Sequence, residues 1–574
     1  MLQLVVRMLL TQLSRSDSMV GERLHGTDGI RGKISTCEQG KNPIENLIFQ
    51  REFSPELAHI IGLATGYAIF QQFSNSNTNE EPFVAPLIVI GWDRRDGNSS
   101  IVNSLVNGLN ESGCNTQLVG EVPTPGLHHC LLLLNADAGM MVTASHNPAT
   151  DSGVKLFDKY GFKSMPELED LISEYAWGGI KKEIKSKGQI LEEYDGLRAY
   201  RKHLKEWLDV VSSTLGLEIE QLSYPVCEQG LILDCSGGAA TDWLNFGLAR
   251  RGLLCDEVSS RDVPINYNCG AGEFNSTDSW SYRELIELEQ NHALLEEIGN
   301  KLRENDGMPP WTNGQLVAAA LDGDGDRCLL IEATKDGVKI VDGDQMAFDW
   351  LNALRCSSKE NLTLAHSIES DLCLPATCES IGIQTIQTAI GDRWLSAAIA
   401  SKLNSEMQFI SDHSMPPVCG CEDSGHLVMP TPHPHLNQKW ALVGDGAATL
   451  LSQLYARAKL GNQRIELPKG WKVRKSVKET KRSLWNGKNE LADEIEDIIK
   501  QTLPSAELQR KEINGETSLL LLEGTIEGES LSIGIRNSGT EAKTSLTIKS
   551  ENTEFMRLEE KLCDKLRESL VLKS

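Results

Sequence analysis

Residues 140–157, MMVTASHNPATDSGVKLF, place a hydroxyl, an imidazole and an ammonium in one short stretch. Ser145 and His146 follow an apolar run, and Lys155 comes ten residues after the serine. Pro148 drives Asn147 out of helical geometry, so Ser145 is expected on a tight, exposed loop at a strand end. A serine hydrolase would want a Gly-x-Ser-x-Gly elbow and a histidine distant in sequence, and adjacent side chains such as Ser145 and His146 seldom face each other. A phosphoryl carrier fits better, because a phosphoserine needs positioning and charge neutralisation rather than a proton relay.

Asp322-Gly-Asp324-Gly-Asp326 supplies the neutralising partner. Alternating carboxylates and glycines let three oxygens converge on one point, and carboxylates this close repel one another without a cation. An EF-hand calcium loop would need Gly at its sixth position and Glu at its twelfth, where this chain has Arg327 and Ala333. Arg536-Asn-Ser538-Gly539-Thr540-Glu541 combines a guanidinium fork with two hydroxyls and a glycine-loosened backbone, a combination suited to a phosphate dianion. Cys421-Glu422-Asp423-Ser424-Gly425-His426 offers donors and acceptors suited to sugar hydroxyls.

These loops need elements to hold them. SPELAHIIGLATGYAIF (54–70) starts with Ser at an N-cap and Pro at the first helical position, and its apolar residues recur at helical spacing. FVAPLIVIGWD reads as a buried parallel strand, followed by a helix over SIVNSLVNGLNESG and a strand at TQLVG. The rhythm returns at GLILDCSGGAATDWLNFGLARRG (230–252), at LVAAALDGDGDRCLLIE (316–332), and in a unit ending Gly391-Asp392-Arg393. Three α/β units of similar size are expected, then a more polar C-terminal segment from near residue 470. The charged stretch 274–314 reads as an insertion rather than a separate domain.

With 574 residues the chain exceeds one core, and 40% hydrophobic with 24% charged residues is an ordinary globular composition. Its net charge of −25 disfavours nucleic acid and anionic membranes, so a phosphorylated ligand must meet a local basic patch. The 14 cysteines match no common zinc or redox spacing and read as reduced thiols of a cytoplasmic protein. Arg7 breaks the N-terminal apolar run, so residues 1–18 read as an extension ahead of Met19 rather than a signal peptide. No stretch of 18 apolar residues suggests a transmembrane helix.

In order along the chain, HGTDGIRG (25–32), TASHNP (143–148), DGDGDR (322–327), GCEDSGH (420–426) and RNSGTE (536–541) resemble the motifs of the α-D-phosphohexomutase superfamily. INYNCGAGE (265–273) and TAIGDRWL (388–395) are similar to its phosphoglucosamine mutase branch, which interconverts glucosamine 6-phosphate and glucosamine 1-phosphate. The resemblance implies an α/β fold of four domains around a central cleft: three α/β domains with mixed sheets and a C-terminal α+β domain. Boundaries follow at 19–175, 176–337, 338–464 and 465–574. It implies a phosphorylated Ser145, and Mg²⁺ held by Asp322, Asp324, Asp326 and a phosphoserine oxygen. Lys155, near Arg31, would be general base and acid, which calls for a lowered pKa. His146 would orient the loop. Arg327 and the Arg536, Ser538, Gly539 and Thr540 loop would hold the phosphate, and Glu422, Ser424 and His426 the sugar. The ligand would be a small hexose phosphate, with glucose or glucosamine 1,6-bisphosphate as activator and intermediate.

The chain departs from the family pattern at Ser152, His25, Trp92 and Asp423, and lacks the proline usual after Ser-Gly-Thr-Glu. Those changes bear on the sugar, which leaves a phosphomannomutase or phosphoglucomutase as the nearest alternative. An aspartyl-nucleophile phosphatase would need Thr at the end of its Asp-x-Asp motif and a site nearer the N-terminus. A non-catalytic sugar-phosphate sensor would be expected to lose the serine or an aspartate first, and all are present.

Overall fold

Ser54 accepts the Leu57 amide on its side chain at 3.2 Å, and the helix it caps runs Pro55–Ser76 with Leu57, Ile61 and Ala64 buried. In the computed structural model the described residues are 23–36, 41–76, 85–178, 186–218, 230–287, 289, 291–357, 359–538 and 542–571. The N-terminal extension, Gly539 and Thr540 lie outside them.

Four sheets follow one another. The first holds β1 (Ile30–Ile34), β2 (Glu52–Phe53), β3 (Leu87–Trp92), β4 (Asn115–Glu121), β5 (Ala138–Val142) and β6 (Asp151–Asp158), in the order β2-β1-β6-β5-β3-β4. The second holds β7 (Leu231–Asp234), β8 (Cys255–Glu257), β9 (Ser279–Ser281), β10 (Leu316–Leu321), β11 (Cys328–Ala333) and β12 (Gly337–Val341), in the order β8-β7-β10-β11-β12-β9. The third holds β13 (Thr363–Ser367), β14 (Gln384–Thr388), β15 (Ile410–Ser411), β16 (Val418–Cys421), β17 (Leu427–Pro432) and β18 (Lys439–Gly444), in the order β14-β13-β16-β17-β18-β15.

These three sheets share a plan. Parallel strands β4-β3-β5, β8-β7-β10 and β14-β13-β16 each end in a strand that turns back into an antiparallel neighbour, β6, β11 or β17. The three returning turns carry the serine loop, the triple-aspartate loop and the Glu422–His426 loop. Such mixed sheets are the α/β class expected from the alternation of apolar strands and helices. The fourth sheet, β19 (Trp471–Lys478), β20 (Ala506–Lys511), β21 (Leu520–Ile526), β22 (Glu529–Asn537) and β23 (Lys543–Ser550), is antiparallel. Helices Glu490–Thr502 and Met556–Leu570 contribute Ile495, Ile499, Leu562 and Leu566 to its separate apolar core.

The second and third sheets share one contiguous core, in which Leu321, Leu330, Phe348 and Val428 are fully buried. The stretch 274–314, expected as an insertion rather than a separate domain, is built into this core. It supplies β9, paired antiparallel with β12, and helix Ala293–Glu304, whose Leu294, Ile298 and Leu302 join that core. The sequence hid this because four-residue apolar spacing is diluted by the acidic and basic residues on the helix's outer face. The described cysteines are all free thiols, in accord with the reading of their spacing. Among the described residues no helix is long and apolar enough to cross a membrane.

Buried histidines make the fold sensitive to acid. His128 and His129, on helix Thr124–Leu133, meet His203 on helix Gly196–Leu215, and His129 stacks on His203 with ring centroids 4.0 Å apart. Burial, joined at the first two by neighbouring imidazoles, pushes their pKa values down to about 3, about 2 and about 4. A folded-state pKa below the unfolded one gives stability that is complete above about pH 6.5 and is lost as the pH falls toward the folded values. Each imidazole then costs on the order of 1 kcal/mol per pH unit. The melting temperature should therefore drop between pH 7 and pH 5, and His129→Phe should flatten that drop. An equally steep profile in the variant would show that these histidines are not responsible.

Candidate active site

The backbone at the end of β5 is the first surprise. Ser145 was expected to be exposed, yet its side chain is fully buried, and its φ of +54° lies in the left-handed region that a non-glycine residue occupies only when its surroundings hold it there. What holds it is visible. The Ser145 amide donates to Thr143 Oγ1 at 2.8 Å, and Thr143 Oγ1 donates to Asp93 Oδ2 at 2.6 Å. Arg95 donates to the carbonyls of Ser145, Pro148 and Asp151 at 2.6, 2.5 and 2.9 Å, and Asn266 to those of Ser145 and Asn147 at 2.8 and 2.9 Å.

His146, expected to orient the loop, is half-buried beside the serine. Its Nδ1 has no hydrogen-bond partner among the described residues, and its Cβ packs over Gly272. Burial, with Arg327, Arg31 and Lys155 nearby, keeps its pKa well below the usual imidazole range.

Ser145 Oγ donates to Asp322 Oδ2 at 2.7 Å across 177 residues of sequence. This approach depends on Gly323, where a Cβ would come within 2.8 Å of the Ser145 carbonyl and 2.9 Å of Asn266 Nδ2. Gly325, with φ +68°, completes the tight turn. One oxygen or more from each of Asp322, Asp324 and Asp326 lies within 4.8 Å of the others, and all three side chains are buried. Asp324 Oδ1 and Asp326 Oδ1 are buried acceptors with no hydrogen-bond partner among the described residues. An all-oxygen donor set with unsatisfied acceptors fits a hard divalent cation.

Lys155, from β6, donates to Asp324 Oδ2 and Asp326 Oδ2, both at 2.7 Å, and reaches Asp28 Oδ2 at 3.2 Å. Burial alone would lower its pKa. Asp28, Asp324 and Asp326 outweigh that and hold it well above the usual lysine range, the opposite of the lowered value expected from sequence. The carboxylates divide the same field unequally. Burial and the charges of Asp326 and Asp324 push Asp322 well above the carboxylate range, whereas for Asp326 burial is outweighed by Lys155, His426 and Lys163. Arg31 sits beside this cluster, donating to Asp28 Oδ2 at 2.6 Å and to the Ala144 carbonyl at 3.3 Å.

Beside the buried cluster, with Asp28 in its wall, lies a cleft of about 250 Å³ lined by Arg31, His146, Arg327, Glu422, His426 and Arg536, with Ser538 at its rim. Glu422 accepts the Gly391 amide on Oε1 at 2.7 Å, and its Oε2 lies 4.0 Å from His426 Nδ1. Arg327 Nε and Arg536 Nε are buried donors without a hydrogen-bond partner among the described residues. Ser424 is half-buried and does not line the cleft. Asp423 also turns away, pairing with Lys472 at 2.5 Å and Arg474 at 3.4 Å on β19 and accepting from Ser276 at 3.2 Å.

Several site residues had no assigned role in the sequence reading. Lys163 pairs with Asp28 and Asp392, each at 2.9 Å, and Thr124 Oγ1 donates to Asp324 Oδ2 at 2.5 Å. Asp28, Asn266 and Asp392 lie within stretches noticed for their likeness to a family, but only the folded chain shows what they and Arg95 touch.

Residues 22–182 match the model of phosphoglucomutase/phosphomannomutase, alpha/beta/alpha domain I, and residues 342–471 match that of alpha/beta/alpha domain III, together about half of the chain. The chain belongs to the phosphoglucomutase/phosphomannomutase family. As a phosphohexomutase it is an isomerase. Among its relatives, the phosphoglucosamine mutase of Bartonella henselae is 28% identical over 462 residues, covering 78% of each chain. That of Syntrophus aciditrophicus is 25% identical, covering 96% of this chain and 99% of the other. A phosphoglucomutase/phosphomannomutase family protein from Burkholderia thailandensis has the same fold, with a TM-score of 0.61 at 17% identity over 96% of this phosphohexomutase and 100% of that chain.

Proposed function

We propose that this phosphohexomutase interconverts glucosamine 6-phosphate and glucosamine 1-phosphate through a phosphorylated Ser145. The observation that carries the reading is the meeting of Ser145 Oγ with Asp322 at 2.7 Å while Lys155 bridges Asp324 and Asp326 at the same depth. A carrier hydroxyl, an oxygen-rich cation site and a proton-transferring amine then meet at one point beside the cleft. The choice of sugar rests on the phosphoglucosamine mutases among the relatives.

In the forward direction the P–Oγ bond of phosphoserine 145 breaks as a P–O bond forms to the free sugar hydroxyl, whose proton passes to Lys155 Nζ. The resulting bisphosphate turns around. Its other sugar P–O bond breaks, the phosphoryl group returns to Ser145 Oγ, and Lys155 returns the proton to the sugar oxygen. Arg327, Arg536, Ser538, Gly539 and Thr540 hold the phosphate that is not being transferred, and Glu422 and His426 hold the sugar hydroxyls. Asp322, Asp324 and Asp326, with an oxygen of phosphoserine 145, would hold Mg²⁺. When bound it supplies counter-charge for the phosphoryl oxygens and competes for the carboxylates that otherwise keep Lys155 an ammonium.

The test offers glucosamine 6-phosphate, mannose 6-phosphate and glucose 6-phosphate separately, with Mg²⁺ and catalytic glucose 1,6-bisphosphate, and follows 1-phosphate formation by phosphorus NMR. Fastest conversion of the glucosamine ester, abolished by EDTA, is expected. Preference for mannose or glucose would reassign the sugar, and turnover undiminished by chelation would refute the cation site.

A further inference from the structure

Arg94 and Arg95 are neighbours in the turn after β3, yet they reach in different directions. Arg95 holds the serine loop through the carbonyls of Ser145, Pro148 and Asp151. Arg94 crosses to the segments around the second sheet, donating to the Gly237 carbonyl at 3.0 Å, the Val263 carbonyl at 3.3 Å and the Arg261 carbonyl. Both of the stretches it grips lead to the active site. The turn after β7 reaches the triple-aspartate loop, where the Ala239 amide donates to the Gly323 carbonyl at 2.9 Å and a Cβ on Gly238 would come within 2.3 Å of the same oxygen. The stretch after Val263 carries Asn266, whose side chain donates to the Ser145 and Asn147 carbonyls at 2.8 and 2.9 Å.

Asn266 is itself tied to that turn. Its amide donates to the Ser236 carbonyl at 2.9 Å, and the Ser236 and Gly270 amides donate to the two oxygens of Asp234, each at 2.7 Å. Asp234 is fully buried, so the Gly237 turn and the stretch bearing Asn266 form one satisfied hydrogen-bonded unit. A planar guanidinium, with donors in a fixed fork, suits an arm that holds several carbonyls of such a unit at once. The need for an arm follows from the serine. Ser145 occupies left-handed backbone that persists only when its surroundings over-determine it, and its Oγ must meet Asp322 from another sheet. The first and second sheets therefore have to be registered against each other at this point.

We propose that Arg94 is a positioning residue for phosphoryl transfer: by fixing the Gly237 turn and the Val263–Asn266 stretch against the first sheet, it sets Asn266, and through Asn266 the place of Ser145 Oγ relative to the three aspartates. This rests on the mutase reading above and deepens it. Arg94 does not line the cleft and makes no bond to the serine loop, so its effect falls on the transfer step and not on binding of the hexose phosphate. A displacement of about 1 Å at a reacting group costs up to about 10²-fold in rate. Both transfers use the same serine oxygen, so turnover in the two directions falls together.

The experiment measures kcat and KM of the full chain with the hexose 6-phosphate that turns over best, Mg²⁺ and glucose 1,6-bisphosphate. It compares wild type, Arg94→Gln, Asn266→Ala and the double variant, each well below its own melting temperature. Arg94→Gln should lower kcat about tenfold and Asn266→Ala about thirtyfold, with KM for the hexose phosphate within about twofold of wild type in both. The double variant should be no slower than Asn266→Ala, because one residue acts through the other. Single-turnover phosphorylation of Ser145 by the bisphosphate, followed by intact mass, should slow by the same factors. Losses that multiply in the double variant would give Arg94 a path that bypasses Asn266, and a raised KM at unchanged kcat would make it a binding residue; either overturns the proposal. A lowered melting temperature with kcat within about twofold of wild type would leave Arg94 a structural brace alone, which overturns the proposal while the mutase reading stands. If the wild type converts no hexose phosphate, the mutase reading fails and this inference fails with it.

Discussion

Ser145→Ala should lower mutase turnover by about 10⁴-fold or more, the scale on which loss of a covalent nucleophile acts. The structure predicts that this loss is chemical. Arg95 and Asn266 grip the loop through backbone carbonyls, and Thr143 accepts the residue's amide, so none of these bonds needs the hydroxyl. The one bond lost is the 2.7 Å donation to Asp322, a change of about 1–3 kcal/mol in stability at most. Activity and the phosphoenzyme mass increment should vanish together while the protein melts cooperatively near the wild-type temperature. Turnover within tenfold of wild type would remove Ser145 from the role of carrier.

Lys155→Met should show two separable effects. As the general acid and base, the amine is worth about 10²–10⁴-fold in turnover. As the ammonium among Asp28, Asp324 and Asp326, it is also the counter-charge of a buried carboxylate cluster, with contacts of 3.2, 2.7 and 2.7 Å. Removing one partner from a buried pair leaves uncompensated charge and costs about 3–5 kcal/mol. Excess Mg²⁺ should restore most of the melting temperature, because a cation on the triad provides the charge that the lysine provided, and it should leave turnover low. Recovery of both by Mg²⁺ would show that Lys155 is only a counter-ion. Recovery of neither would show that the triad does not take the cation.

Alternation of apolar strands with helices was readable from 2.0 and 3.6 residue periods, since burial of one face repeats along the chain. The same local logic exposed the three aspartates between glycines and the serine before Asn-Pro, because residue types at short spacing constrain their own chemistry. The packing of helix Ala293–Glu304 into the core was not legible because its partner sheet lies elsewhere in the sequence.

Tertiary structure decided what distant segments do to one another. Ser145 looked exposed because a loop before proline usually is. It is buried because the turns ending β5 and β10 pack together, with Gly323 permitting the contact. The direction of the Lys155 pKa reversed for the same reason: its three carboxylates come from Asp28 and from a loop some 170 positions onward, and a field from such charges depends on distance in space. What Arg95 and Asn266 touch has no local signature, since each acts through a carbonyl carried by another segment of the chain. Sequence alone determined the strand and helix plan and the identity of the reactive groups, because those depend on neighbours along the chain. Their burial, charge state and partners were left to the folded molecule, because those depend on neighbours across it.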